Sequence, residues 1–150
     1  MDRGDIEALA GAARGERVSE ELLARVLERL AAVLADLAAA LRVEYHGPGV
    51  GVEGDPGAYR LVVRPHRLSV SPDVHWGVMI CDAAPSAAWR AVWSLPAAGR
   101  RRRRAIARAL PEFFRGYLLA VRDAGLAESE PGRALAALAQ SCRECYETVA

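Results

Sequence analysis

The chain has 150 residues, 52% of them hydrophobic and 26% charged, which provides for one ordinary core and argues against wholesale disorder. Net charge is only +1, yet it is unevenly spread: residues 1–58 carry 6 Arg and 11 acids, residues 59–122 carry 12 Arg and 3 acids, and residues 123–150 carry 2 Arg and 5 acids. No run of about 18 apolar residues exists, which excludes a hydrophobic membrane-spanning helix and predicts no membrane partner.

The polar start Met1-Asp2-Arg3-Gly4-Asp5 has no apolar h-region, and three Cys is an odd number for a disulfide framework. Reduced thiols in a cytoplasm are the expectation. All 20 basic residues are Arg, so an abundance of Arg carries less weight than its placement.

A short first helix is predicted over Ile6–Arg14, ending near Gly15. Ser19 then offers an N-cap, with Glu20 and Glu21 well placed in the first turn. Leu23, Val26, Leu27, Leu30, Leu34, Leu37 and Leu41 recur at helical spacing, predicting a long helix over Glu20–Leu41. Such a stripe belongs to a core more often than to a dimer seam, though its length also suits pairing with a second copy.

His46-Gly47-Pro48-Gly49 breaks the helical pattern. Gly54-Asp55-Pro56-Gly57 marks a turn between Val50 and Val52 on one side and Tyr59, Leu61 and Val63 on the other, which reads as a hairpin. Pro65-His66 is expected to separate strand Tyr59–Arg64 from strand Arg67–Ser71. After the turn Ser71-Pro72-Asp73, an apolar strand His75–Cys81 turns Trp76, Val78 and Ile80 to one side. Ala87–Leu95 fits either a strand or a helix from Pro85, and the strand is favoured because Leu95-Pro96 ends it.

Gly99–Asp123 reads as helix interrupted by Pro111, which either kinks it or opens a second helix. Gly125 suits its C-terminal cap. Ser129-Glu130-Pro131 begins a last helix, with Leu135, Leu138, Cys142 and Cys145 on one stripe. The predicted fold is α+β in a single domain. An antiparallel meander of four to six strands (43–96) is flanked by N-terminal (1–42) and C-terminal (97–150) helices packed on one face, as a two-layer sandwich.

The main functional signal is arginine. Arg101, Arg108, Arg115 and Arg122 stand seven apart and would form one ridge about 32 Å long, over twenty-one residues at ~1.5 Å each. The run Arg100, Arg101, Arg102, Arg103 and Arg104 sweeps around the helix axis and opposes the helix dipole, a local cost that points either to a compensating function or to a solvated loop-to-helix junction that tolerates Arg. Anion binding would need guanidiniums converging from more than one element, and Arg64 and Arg67 on a neighbouring strand are the candidates. Against this, Glu112 has the spacing to pair with both Arg108 and Arg115. Trp76, Trp89 and Trp93 are the second candidate: exposed, they would stack bases or form a partner patch; inward, they are core, which the alternation of Trp76 with Val78 and Ile80 favours.

Catalytic chemistry finds little support. Cys142-Arg143-Glu144-Cys145 is a CxxC without a second pair, late in its helix where the dipole disfavours thiolate, so a buried structural pair is expected and no metal. Cys81 and His75 share a strand face but stand about 20 Å apart over six residues. No glycine-rich phosphate loop, zinc-protease or calcium-loop motif occurs, and no cofactor is expected. The expected function is a small cytoplasmic, non-catalytic binding or regulatory protein acting through protein contacts, with a protein partner or itself as a homodimer. A nucleic-acid or phosphate-ligand binder using the Arg-rich helix is the alternative. A small hydrolase or transferase using His75, Asp73 or Cys81 comes third.

Overall fold

The computed structural model describes residues 1–67, 73–82 and 90–147. Within them, helices α1 (Arg3–Ala13) and α2 (Glu20–Leu41) precede strands β1 (Tyr45–Gly49), β2 (Tyr59–Arg67), β3 (Val74–Asp82) and β4 (Arg90–Trp93). Helices α3 (Arg100–Asp123) and α4 (Glu130–Glu147) follow. The strands form one antiparallel sheet in the order β1-β2-β3-β4, the expected α+β meander. Helices α2 and α3 lie against the sheet, and α1 and α4 pack mainly on the other helices.

Helix starts follow their caps. Ser19 accepts a hydrogen bond from the Leu22 amide at 3.1 Å, as its position predicts. Helix α1 begins earlier than expected because Asp2 and Asp5 form a capping box, each carboxylate accepting from the other's amide. Asp5 also receives both ends of the Arg29 guanidinium, at 3.0 and 2.5 Å, which ties α1 to α2. The α2 stripe from Leu23 to Leu41 is buried within this chain's own core, so it is not a seam for a second copy.

Two strand expectations change. The turn-rich tetrad at His46–Gly49 is itself strand β1, and Val50 and Val52 follow it rather than forming it. Glycine at 47 is required by close packing: a Cβ there would lie 2.7 Å from the Leu61 carbonyl oxygen and 3.1 Å from the Phe113 ring. Pro65 does not divide β2, which pairs with β3 from Tyr59 to Arg67. The β1 ladder ends at Val63, so Pro65 sits where β2 has lost one neighbour, a position that tolerates a missing N–H. At the other end of the sheet, Arg90–Trp93 is strand, the favoured alternative for that stretch. Residues 68–71 of the expected strand Arg67–Ser71, and residues 87–89 of the last expected strand with Trp89, lie outside the described residues.

Leu61, Val63, Val78 and Ile80 face the helices in the main core. Val62, Cys81 and His66 occupy the opposite face and are also buried, so that face is not simply open to water. Burial is the largest influence on His66 and pushes its pKa down, leaving the ring neutral near pH 7.

Helix α3 is a single helix with Pro111 inside it, not two. Proline lacks the N–H that would bond the carbonyl four residues back, at Ala107. That carbonyl accepts instead from the Tyr146 hydroxyl of α4, at 2.6 Å. A tertiary hydrogen bond thus stands in for the missing helical one. Nearby, the Tyr45 ring stacks on Tyr117 with centroids 5.6 Å apart, and Gly116 makes room for it: a Cβ at 116 would overlap the Tyr45 hydroxyl. The Tyr117 hydroxyl is buried and has no hydrogen-bond partner among the described residues.

Two stability outcomes follow from α3. Tyr146→Phe should cost about 1 kcal/mol in the wild-type background and clearly less in Pro111→Ala, where residue 111 regains its amide donor; urea unfolding of the four proteins in this double-mutant cycle measures the coupling, and identical losses in both backgrounds would contradict the substitution of one bond for the other. Tyr117→Phe removes an unsatisfied buried hydroxyl and should leave stability unchanged or raise it by up to about 1 kcal/mol, read from the same unfolding curves.

Candidate functional site

The arginines of α3 divide into two groups. In the first turn, Arg102 is buried at 8% exposure. Its guanidinium donates to both Asp55 oxygens at 3.0 and 2.6 Å and to the Val50 carbonyl at 2.9 Å. Its carbon centre lies 4.7 Å from the ring centroids of both Tyr59 and Trp93, in cation–π range. The planar fork suits this position because one carboxylate, one carbonyl and two ring faces are satisfied at once. The Arg102 hydrogen bonds, reinforced by the Val52 amide donating to Asp55 at 2.8 Å, hold the Asp55 carboxyl down at about 2.

Glu20, at the start of α2, gathers the rest of the run. Arg104 donates to it at 2.5 Å, while Arg100 and Arg103 make ion pairs with it at 3.2 and 3.6 Å. Arg103 also donates to the Pro96 carbonyl at 2.8 Å. Burial pushes the Glu20 carboxyl up, but Arg104 and Arg100 outweigh it and the net shift is downward. Arg100, Arg102, Arg103 and Arg104 are therefore engaged within the molecule. They join the start of α3 to α2 and to the β1–β2 connection.

The second group is the heptad row. Arg101, Arg108, Arg115 and Arg122 are all exposed along α3. Arg122 pairs with its neighbour Asp123 at 3.7 Å. Arg101, Arg108 and Arg115 have no ion pair among the described residues, and the expected bridges from Glu112 to Arg108 and Arg115 do not form. Leu119 sits in this row between Arg115 and Arg122, 44% exposed. Arg101, Arg104 and Arg108 border an open depression of about 310 Å³ against Gly51, Val52 and Glu53.

The strand arginines do not converge on this helix. Arg64 lies on the sheet face opposite Leu61 and Val63, and so opposite α3, where it pairs with Glu44 at 3.7 Å. Arg67 is exposed at the far end of β2, eight residues or about 26 Å along the strand from Tyr59, the residue Arg102 covers. Trp93 is engaged with Arg102 and with Tyr59, whose ring centroid is 5.1 Å away. Trp76 is half-buried against the main core, as its alternation implied.

The nucleophile candidates are scattered. Cys81 is buried, and burial raises its thiol to about 11; His75 is exposed at the other end of the continuous strand β3. Cys142 and Cys145 are both buried on the core stripe of α4, and burial raises Cys142 to about 12, so Cys142 is not poised as thiolate. Among the described residues no cluster of three His, Cys, Asp or Glu side chains is arranged to hold a metal ion.

Asp55 and Glu20 are the site residues that sequence reasoning missed. Asp55 is by its sequence setting an ordinary turn former and Glu20 a helix-start acid; both descriptions hold, but each carboxylate also serves arginines far along the chain. The one available signal is the unfavourable Arg run at a helix N-terminus, a cost that a nearby carboxylate can relieve but that does not name one.

Comparison with protein-family models, with curated proteins and with solved structures finds no match to this chain. The reading of function therefore rests on the geometry alone.

The Arg102 cluster makes a testable demand. Arg102→Met should lower stability in urea unfolding, because it takes the guanidinium away from the Val50 carbonyl and from Asp55, which keeps only the Val52 amide, and it should red-shift or brighten Trp93 fluorescence. The folded-state pKa of Asp55 is depressed from 3.8 to about 2, so the stabilisation it brings is fully present above pH 3.8 and is lost as pH falls through about 2. Asp55→Asn should flatten the acid limb of stability in that window; equal slopes for the two proteins in urea titrations would show that the pair does not set it.

Proposed function

We propose that this chain is a small non-catalytic binding protein whose exposed α3 stripe receives an acidic segment of a protein partner. The observation that carries this reading is the division of the arginines: the first-turn run is held by Glu20 and Asp55, whereas Arg101, Arg108 and Arg115 face water without a direct ion pair among the described residues. Arginine held out along about 21 Å of helix, without such a pair, is suited to intermolecular carboxylates. Leu119 within the same row favours a protein surface over a nucleic-acid backbone, because protein interfaces combine apolar contact with Arg. The cytoplasmic setting belongs to this proposal, supported by three free thiols. A homodimer built on the α2 stripe does not, since that stripe is consumed by the core.

Nucleic acid is the second reading, supported by the length and regular spacing of the row. Both readings predict salt-sensitive binding, so the test separates them by ligand. Fluorescence anisotropy should show a labelled Glu- and Leu-containing peptide of about 15 residues, which as a helix matches the Arg101–Arg115 row, binding at low salt and weakening as salt rises. The triple variant Arg101→Gln, Arg108→Gln, Arg115→Gln should bind at least about tenfold more weakly. Tighter binding of a DNA or RNA duplex than of the peptide would transfer the function to nucleic acid, and absence of binding to either at low salt would overturn both readings.

A further inference from the structure

A second surface lies on the other side of Arg115. Between α3 and α4 runs a cleft of about 320 Å³. Pro111, Phe114 and Leu118 line it from α3, and Ala139 and Tyr146 line it from α4. Its surface is mainly apolar, and the polar groups beneath it are already satisfied. Pro111 has no amide hydrogen to offer. The Ala107 carbonyl that Pro111 leaves open is occupied by the Tyr146 hydroxyl, so Tyr146 presents its ring to the cleft with its oxygen already bonded. An apolar chain entering here would displace water without stranding a polar atom of the floor.

The charged lining is asymmetric. Arg115 comes from α3 and Arg143 from α4, and neither has an ion pair among the described residues. Among the described residues the one acid lining the cleft is Glu147. Two guanidiniums from two different helices against that one carboxylate make the described lining basic, which suits an anionic head and repels a cationic one. Convergence from separate elements is the arrangement that Arg64 and Arg67 fail to provide for the first turn of α3.

We infer that the α3–α4 cleft binds a small amphipathic carboxylate, its single apolar chain lying on Phe114, Leu118 and Tyr146 and its head group held between Arg115 and Arg143. A cleft of this volume falls at the lower end of the range of small-molecule sites, about 300–1,000 Å³. A medium-length fatty acid or an aryl-alkyl carboxylate has this size and polarity. This inference does not need the acidic-partner reading: Arg101 and Arg108 do not line the cleft.

Decanoate is the probe. Isothermal titration of the intact protein with decanoate should show saturable binding at one site, and decanoate should displace the fluorescent apolar anion anilinonaphthalene sulfonate. Decanol and decylammonium, which keep the chain and change the head, should bind at least about tenfold more weakly. Arg115→Gln and Arg143→Gln, both at exposed positions, should each weaken decanoate binding by about tenfold with unchanged circular dichroism, while Arg101→Gln with Arg108→Gln should leave it unaltered. Absence of saturable decanoate binding, equal binding of decanol, or full affinity in both single variants would each overturn the assignment. Binding of the Glu- and Leu-containing peptide in place of decanoate, lost in the same two variants, would give the cleft to a protein partner and overturn the small-ligand assignment.

Discussion

Five consecutive arginines at a helix N-terminus place positive charge where the helix dipole is already positive, and the fold is organised around relieving that conflict. The carboxylate of Asp55 takes Arg102 from the turn before β2, and the carboxylate of Glu20 takes Arg100, Arg103 and Arg104 from the start of α2. Glu20 is doubly useful, because an acid in the first turn of α2 also complements that helix's own dipole. The result fixes three elements against one another at a single corner: α2, α3 and the β1–β2 connection. Tyr59 and Trp93 then bring the ends of β2 and β4 under the same guanidinium. A cluster of this kind is costly to leave half made, since each buried charge depends on its partner for solvation.

The same corner explains which arginines remain for function. Side chains at positions 102, 103 and 104 point toward protein because α3 packs there on the sheet and on α2, whereas positions 101, 108 and 115 repeat on the water-facing side. Seven-residue spacing is nearly two helical turns, so a face once exposed stays exposed along the helix. The basic row is thus the complement of the buried row of Ile106, Leu110, Phe113, Tyr117 and Val121. It has functional potential because the structural demand for cations has already been met by its neighbours.

Pro111 plays a comparable part at the other end of the helix. A proline inside a helix removes one backbone bond, and here the loss is taken up by a hydroxyl from α4. That bond brings the Tyr146 ring over the α3–α4 junction, and the cleft between the helices takes its wall from this ring. An apparent defect in α3 is coupled to the placement of α4.

What the chain determines locally was readable without coordinates. The Leu stripe of α2, the Ser19 cap, Gly125 beyond the end of α3 and the alternation of Trp76, Val78 and Ile80 all follow from residue spacing and short-range hydrogen bonding, and each stands where periodicity placed it. Strand β1 was not readable, because His46-Gly47-Pro48-Gly49 has turn-forming residues and becomes a strand only through close packing with Leu61 and Phe113. The fate of individual arginines was likewise beyond the sequence. Arg102 meets Asp55 across 47 positions, Arg104 meets Glu20 across 84, and Tyr146 reaches Ala107 across 39. Periodicity specifies which face a side chain occupies, but only the folded chain decides which distant carboxylate or carbonyl comes to meet it there.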